Sequence, residues 1–315
     1  MVNPFWNYQE HRPRALIRIF IQNVILGLIL ICFELFFFLI NEFGNLETSG
    51  ASSSDGFGFQ QILAGLSPIL TLIGFLISVF VAGKWLDHRT FTGFGFNFNR
   101  RWWGDLVFGL ILGAVLMLII FFIELSMGWI HITGFYLTQE PRLGFSLGIL
   151  QNTILFICVG IYEELYIRGY LLLNLAEGFH FSRIGHRRSI LIATLVSSLV
   201  FSALHVLNPG TSWMSILNLF MAGIFLASGY ILTGELAIPI GIHITWNFFQ
   251  GAVFGFPVSG TQVQNPIFSI QQSGPAQWTG GTFGPEAGFL ALLILIFGTV
   301  LIYLWTTRKG ENAFL

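Results

Sequence analysis

Read from its N-terminus, the chain is a succession of long apolar runs separated by short polar breaks. Leu106–Ile123 contains no Asp, Glu, Lys or Arg, and the same is true of the longer runs Ser189–Gly234 and Leu236–Pro285. A spanning helix takes about 20 consecutive apolar residues, so each of the two longer runs has room for two passes. The pattern predicts spans near 18–40, 62–83, 105–127, 145–172, 189–207, 213–233, 236–256 and 287–306. Each must be helical, because lipid offers no partner to a free backbone N–H or C=O. The expected fold class is all-α: a polytopic transmembrane helical bundle of about eight transmembrane helices. No internal repeat of the inverted transporter kind is visible.

Composition agrees with this reading. The chain is 54% hydrophobic and 9% charged, with 35 Phe among 315 residues, whereas a soluble domain carries about 25% charged residues. A net charge of −1 argues against nucleic acid as a partner and leaves the lipid bilayer as the surrounding medium. Of the 14 basic residues, those at 12, 14, 18, 84, 89, 100, 101, 183, 187, 188, 308 and 309 fall on one side of an eight-span arrangement. The positive-inside rule then places both termini in the cytoplasm, and the expected location is the cytoplasmic (plasma) membrane. The first apolar segment has no small-residue cleavage site and reads as a retained helix. Cys32 and Cys158 lie within apolar segments and form no CxxC pattern, as expected of small buried hydrophobes. The C-terminus, Asn-Ala-Phe-Leu, has no prenylation cysteine.

Ionisable groups inside a membrane are costly and mostly functional, which makes the search for chemistry short. The fourth predicted span contains Glu163-Glu164-Leu165-Tyr166-Ile167-Arg168. Glu164 and Arg168 are four apart and share a helix face, so they can pair. Glu163 points about 100° away, is the freer carboxylate, and suits general acid and base work. The alternative is an ion-pair cluster that only fixes packing. His205 follows Phe201 by four residues near the end of the fifth span, with Asn208 just beyond. His243 and Asn247, again four apart, form a polar strip on the seventh span able to donate hydrogen bonds to one oxygen. Each of these alone also reads as packing. Three inward polar faces on three helices imply a shared, hydrated cavity.

Glu163-Glu164-x-x-x-Arg168, Phe201-x-x-x-His205 and His243-x-x-x-Asn247, in that order, resemble the three motifs of the CAAX protease and bacteriocin-processing (CPBP) family, which includes the Ras-converting type of CAAX endopeptidase. The Gly-Gly-Thr-Phe-Gly-Pro-Glu stretch ending at 286 is similar to many bacterial members. The resemblance divides the chain into a motif-free three-helix region, 1–143, a catalytic core, 144–256, and an outer Gly-rich loop with the last helix and tail, 257–315. It implies an intramembrane endopeptidase acting on membrane-associated proteins or peptides. In that reading Glu163 and His205 activate water, His243 and Asn247 hold the developing oxyanion, and Glu164, Arg168 and Asn208 are supporting residues. No cofactor is favoured. The alternative is a zinc site on Glu163, His205 and His243, although no His-Glu-x-x-His is present. A non-catalytic immunity or scaffold protein and an ion transporter are the other readings.

Several residues are expected to play lesser parts. Glu34 and Glu124 read as interface carboxylates, and Asp105 and Glu235 as helix-end groups. Trp102 and Trp103 read as an interfacial anchor beside Arg100 and Arg101. Tyr166 and Trp246, embedded in the motifs, read equally as cavity lining or as simple packing. The 45–60 segment reads as flexible, and the loop at 257–286 as either a lid or a passive turn. One feature resists the shared site: on a straight fifth helix, His205 lies near the outer end while Glu163 and His243 lie nearer the inside.

Overall fold

The computed structural model describes residues 5–8, 10–48, 54–136, 142–180 and 185–310. Among these the chain is an all-α bundle with two small two-stranded sheets. The strands β1 (Trp6–Asn7) and β2 (Arg12–Pro13) pair antiparallel, and α1 (Ala15–Thr48) and α2 (Ser54–Ala82) follow. Most of the predicted flexible segment 45–60 is helical, and residues 49–53 lie outside the described residues. Next come α3 (Arg100–Ser126), β3 (Ile130–Phe135) and α4 (Arg142–Glu164), which continues as a π-helix over Leu165–Leu172 and then as α5 (Leu173–Gly178). The rest comprises α6 (His186–Ala203), α7 (Trp213–Thr233), α8 (Ala237–Asn247) with a π-helix over Phe248–Val253, β4 (Phe268–Gln272), the short α9 (Ala276–Thr279) and α10 (Phe289–Arg308).

Six helices among the described residues are long and apolar enough to cross a membrane: Ala15–Ile40, Gly65–Asp87, Arg100–Ser126, Gly144–Gly178, Trp213–Thr233 and Phe289–Arg308. Their outward faces carry exposed large hydrophobics such as Phe20, Ile31, Ile111, Phe122, Leu293 and Phe297. That is the surface lipid selects. The protein is therefore an integral, multi-pass membrane protein. The other two predicted spans are also helices, but of a different kind. α6 begins His186-Arg187-Arg188. α8 has only 11 residues, with 6 more in its π continuation. At about 1.5 Å per residue, that falls short of a hydrocarbon core of about 30 Å.

The shorter of these, α8, is held inside the bundle by close backbone approach. Gly109 and Gly113 of α3 lie against the carbonyls of Ile238 and Ile242 of α8, and a methyl group at either position would collide with them. Gly241 of α8 returns the contact, where a Cβ would come within 2.6 Å of the Leu106 carbonyl. On the opposite side, a Cβ at Gly160 of α4 would meet the Ile244 side chain at 2.6 Å. Small residues allow this because association in lipid rests on packing rather than on hydrophobic expulsion. α8 is thereby clamped between α3 and α4, and its His243 and Asn247 are placed deep in the molecule.

The loop at 257–286 carries secondary structure and packs on the helices. β4 pairs antiparallel with β3, Ile132 opposite Ile270 and Phe135 opposite Phe268, with a register shift between Ile132 and Gly134. Asn152 of α4 donates to the Gln264 carbonyl at 3.0 Å, and Asn218 of α7 donates to the Gly288 carbonyl at 2.7 Å. A buried ion network ties α1 to the ends of α2 and α5. Arg18 meets Asp87 at 2.7 Å and Glu177 at 2.8 Å.

Two expectations are corrected here. Glu124 is fully buried in α3 rather than at an interface, and neither of its carboxylate oxygens has a hydrogen-bond partner. Trp102 also turns inward, donating from its indole to the Gly95 carbonyl at 2.9 Å, while Trp103 stays exposed.

Candidate active site

Adjacent positions on α4 give its two carboxylates different surroundings. Glu164 has no exposure, and its Oε1 accepts from Arg168 Nη1 at 2.7 Å and from His243 Nδ1 at 2.7 Å. Its Oε2 has no partner. Glu163, one residue earlier and rotated around the helix, keeps 23% of its side chain exposed and faces the other nitrogen of the same imidazole, with Oε2 at 3.8 Å from Nε2. One carboxylate thus holds α8 to α4, and the other faces open space.

Phe201 links these groups to His205. The Arg168 guanidinium stacks over the Phe201 ring at 4.6 Å, and its Nη2 donates to the Gly223 carbonyl of α7 at 3.3 Å. The edge-on ring of His205 lies 5.1 Å from Phe201, and that of His243 lies 6.3 Å away. His205 Nδ1 bonds to the Phe201 carbonyl at 2.9 Å. A carbonyl has no proton to give, so Nδ1 carries the hydrogen and the neutral ring keeps its lone pair on Nε2. The ring is preset as an acceptor on that side.

The depth offset expected for His205 does not keep it from lining one cavity with Glu163 and His243. The helix stops at Ala203, and His205 sits in the irregular turn that follows rather than within a helix. Thr211 Oγ1 closes that turn on the carbonyls of His205 at 3.0 Å and Asn208 at 2.7 Å.

Glu163, His205, Asn208, His243 and Asn247 all line one cavity of about 270 Å³, with Phe156, Leu219, Phe225 and Trp246 among the apolar residues of its wall. Glu163, His205 and Asn208 also line a second cavity of about 380 Å³, bounded by Asn23, Phe75, Tyr162 and Tyr166. Glu164 and Arg168 lie behind the wall and touch neither cavity lining. Trp246 faces the first space and Tyr166 the second, where its hydroxyl donates to Asn23 Oδ1 at 2.7 Å.

Among the described residues, no three His, Cys, Asp or Glu side chains come together as a metal-binding group. In the considered zinc set of Glu163, His205 and His243, His205 places Nδ1 on a carbonyl, and His243 places Nδ1 on Glu164 with Nε2 at 3.8 Å from Glu163.

Two residues in the cavity wall carried no assigned role from the sequence: Ser259 and Glu286. Glu286 is buried, and its Oε1 accepts from the Ser259 hydroxyl at 2.6 Å and from the Ser259 backbone N–H. Burial pushes its carboxyl above the usual carboxylate range, while the Ser259 donors and the nearby His205 imidazole pull the other way. The signal was present in the sequence. Glu286 is the single charged residue between 236 and 307.

An all-α membrane bundle with a carboxylate, two imidazoles and an amide around one internal cavity has the make-up of an intramembrane hydrolase. The comparison with protein families names the kind. Residues 145–249, about a third of the chain and the part that carries all three motifs, match the family model for type II CAAX prenyl endopeptidase Rce1-like. The chain carries an Rce1-like domain of the CAAX protease family, a family of membrane proteases. No curated protein and no solved structure matches it.

Proposed function

We propose that this chain is an intramembrane endopeptidase that hydrolyses peptide bonds of membrane-associated proteins or peptides, using water activated by Glu163 and His205. The observation that carries the reading is the meeting of Glu163, His205, His243 and Asn247, from three separate stretches of sequence, around one cavity inside an apolar bundle. Glu163 is open to that cavity and free of an arginine partner, so it can take a proton from water. His205 presents the unprotonated Nε2 of its neutral ring as a second acceptor. The attacking oxygen forms a bond to the peptide carbonyl carbon, and the carbonyl oxygen becomes an oxyanion. Asn247 offers an amide N–H to it. His243, with Nδ1–H held by Glu164, has an Nε2–H to offer only as the imidazolium. Glu164 and Glu163 on its two sides are the charges that suit that form. Donors fixed in a low-dielectric site stabilise an oxyanion far more than they would in water. The C–N bond then breaks, and the proton taken from water goes to the leaving amine.

Substrate reaches this point through one or both cavities, since Glu163 and His205 face each. The family description points to prenylated C-terminal peptides as the first substrates to try. The test uses the full chain in nanodiscs and an internally quenched peptide ending in a prenylated Cys-aliphatic-aliphatic-X sequence. Glu163→Gln and His205→Ala are each expected to lower the cleavage rate on the order of 10³-fold, with the helical circular dichroism signal unchanged. Cleavage by Glu163→Gln at the wild-type rate sinks the proposal.

A further inference from the structure

We infer that the second cavity is a substrate subsite: it takes the apolar side chain of the residue that follows the cleaved bond, against a wall that α1 and α2 help to build. The inference rests on the peptidase reading for the roles of the groups the two cavities share. It gives the motif-free N-terminal region a part in specificity.

The first argument is placement. The two cavities share Glu163, His205 and Asn208, while His243 and Asn247 line only the first. In the proposed reaction the donors to the oxyanion therefore stand on one side of the junction. The carbonyl, with the acyl part of the substrate, belongs on that side. Glu163 and His205, which take the proton from water and return it to the leaving amine, face both spaces. The amine and the residue attached to it are left with the space beyond the junction, which the proton carriers line and the oxyanion donors do not. A peptide bond held at Glu163 and His205 then has one cavity for each of its halves.

The second argument is the chemistry of the wall. Phe75 of α2 stacks on Tyr162 of α4 at 4.8 Å, with 17° between the rings, and meets Tyr166 edge-on at 5.6 Å. The Tyr166 hydroxyl donates to Asn23 Oδ1 at 2.7 Å, and Asn23 Nδ2 donates to the Ile19 carbonyl of its own helix at 2.8 Å. Asn23 is thus anchored on α1 and holds the Tyr166 ring from there. Tyr166 also belongs to the π-helical stretch that continues α4, a distortion that recurs at functional sites. Leu26, Ile167 and Leu204 extend the apolar surface. Rings set face to face and edge to face offer further faces and edges to an apolar or aromatic group. Among the described residues neither arginine nor lysine lines this cavity, so the wall is matched to an apolar side chain rather than to a carboxylate.

The first readout needs no cleavage. The full chain carrying Glu163→Gln, in nanodiscs, is mixed with a peptide ending in a prenylated Cys-aliphatic-aliphatic-X sequence whose residue after the Cys is replaced by photoreactive benzoylphenylalanine. A second peptide carries a benzophenone on the Cys sulfur in place of the prenyl chain. After irradiation, mass spectrometry locates the cross-links. The probe after the Cys is expected to label Leu26, Phe75 or Ile167 about tenfold more than Leu219, Phe225 or Leu295, and the probe on sulfur is expected to reverse that order. The same labels from both probes, or the opposite order, overturn the inference. So does labelling of nanodisc lipid alone by the first probe, which would mean that a lipid chain fills the second cavity.

The second readout is specificity, with the cut bond fixed by mass spectrometry of the products. Phe75→Ala widens the second cavity and Ala222→Leu narrows the first. Phe75→Ala is expected to raise the kcat/KM ratio of Trp over Val, at the residue after the bond, about tenfold, with the preference before the bond within about twofold of wild type. Phe75→Leu is expected to move the ratio the same way by less. Ala222→Leu is expected to change the preference before the bond and leave the one after it. A Phe75 effect confined to the residue before the bond overturns the assignment. If wild type cuts none of the peptides while the two probes still label separate cavities, the peptidase reading has failed and the subsite has not. If the peptides are cut and both probes label only the first cavity, the subsite has failed and the peptidase reading has not.

Discussion

Two buried carboxylates stand at the cavity, and they are held differently. Glu164 meets His243 between two helices, at 2.7 Å, with Arg168 on the same oxygen and glycine-mediated backbone contacts on both sides of α8. Glu286 lies in a loop and accepts from Ser259, whose carbonyl accepts from Asn208 in the turn that also carries His205. The helix-built wall has its positive charge supplied permanently by Arg168, in a setting with no exposure. The loop-built wall has no arginine or lysine in it. In the proposed reaction this contrast would divide the labour: the first wall would hold a fixed field for the oxyanion, and the second would carry His205 as a proton acceptor.

The sharpest way to break the comparison is to remove the permanent charge. Arg168→Ala leaves Glu164 buried with only His243 as partner, and truncating one member of a buried pair costs about 3–5 kcal/mol. Thermal melting in detergent micelles, followed by circular dichroism, is expected to show a large drop for Arg168→Ala and little change for Glu163→Gln, whose side chain is part-exposed. Equal melting of the two variants would mean that Glu164 and Glu163 are not differentiated as described.

A smaller change tests the joint between the walls. Phe201 lies under the Arg168 guanidinium at 4.6 Å and beside both imidazoles. Phe201→Leu keeps an apolar side chain but loses the π face. The expected cost is roughly 1–2 kcal/mol of stability, with a loss of peptidase rate larger than that of a control substitution on a lipid-facing helix surface such as Ile111→Leu. If the rate is untouched, Phe201 is simple packing and the walls are not coupled through it.

How much of this was legible in the sequence follows the same divide. The apolar runs gave the membrane bundle, and four-residue spacings placed Glu164 with Arg168 on one face, because helical periodicity is a local property. The separation of Glu163 from Glu164 was readable for the same reason. The tertiary choice that gives Glu164 to His243, with Arg168 sharing the same oxygen, was not. The count of eight full crossings was out of reach as well. The short α8 with its π continuation looks as apolar as a span, and only the close approach of Gly109, Gly113 and Gly241 shows it wedged between α3 and α4. Glu124 looked like an interface group because its position along α3 is readable while the element covering it is not. The loop wall was the least legible part. Ser259 and Glu286 are 27 residues apart in a Gly-rich stretch without periodicity, and nothing local says that the segment folds back onto the end of α6.

A single hydrogen bond in that wall gives the finest test. Asn208 donates to the Ser259 carbonyl at 2.9 Å while its own carbonyl oxygen accepts from Thr211. Asn208→Ala removes one part-buried hydrogen bond, worth about 1 kcal/mol, and leaves Glu286 and the Ser259 N–H in contact. If Asn208 and Ser259 brace one wall, loosening this corner should appear as faster amide hydrogen exchange at residues 258–261, beside the substitution, and around 283, with α4 and α8 unchanged. A helix-built wall has no reason to respond to a change in a turn. Faster exchange spread evenly over α8 would mean that the two walls are a single elastic body. Exchange confined to residues 204–212 would mean that Ser259 is held without help from Asn208.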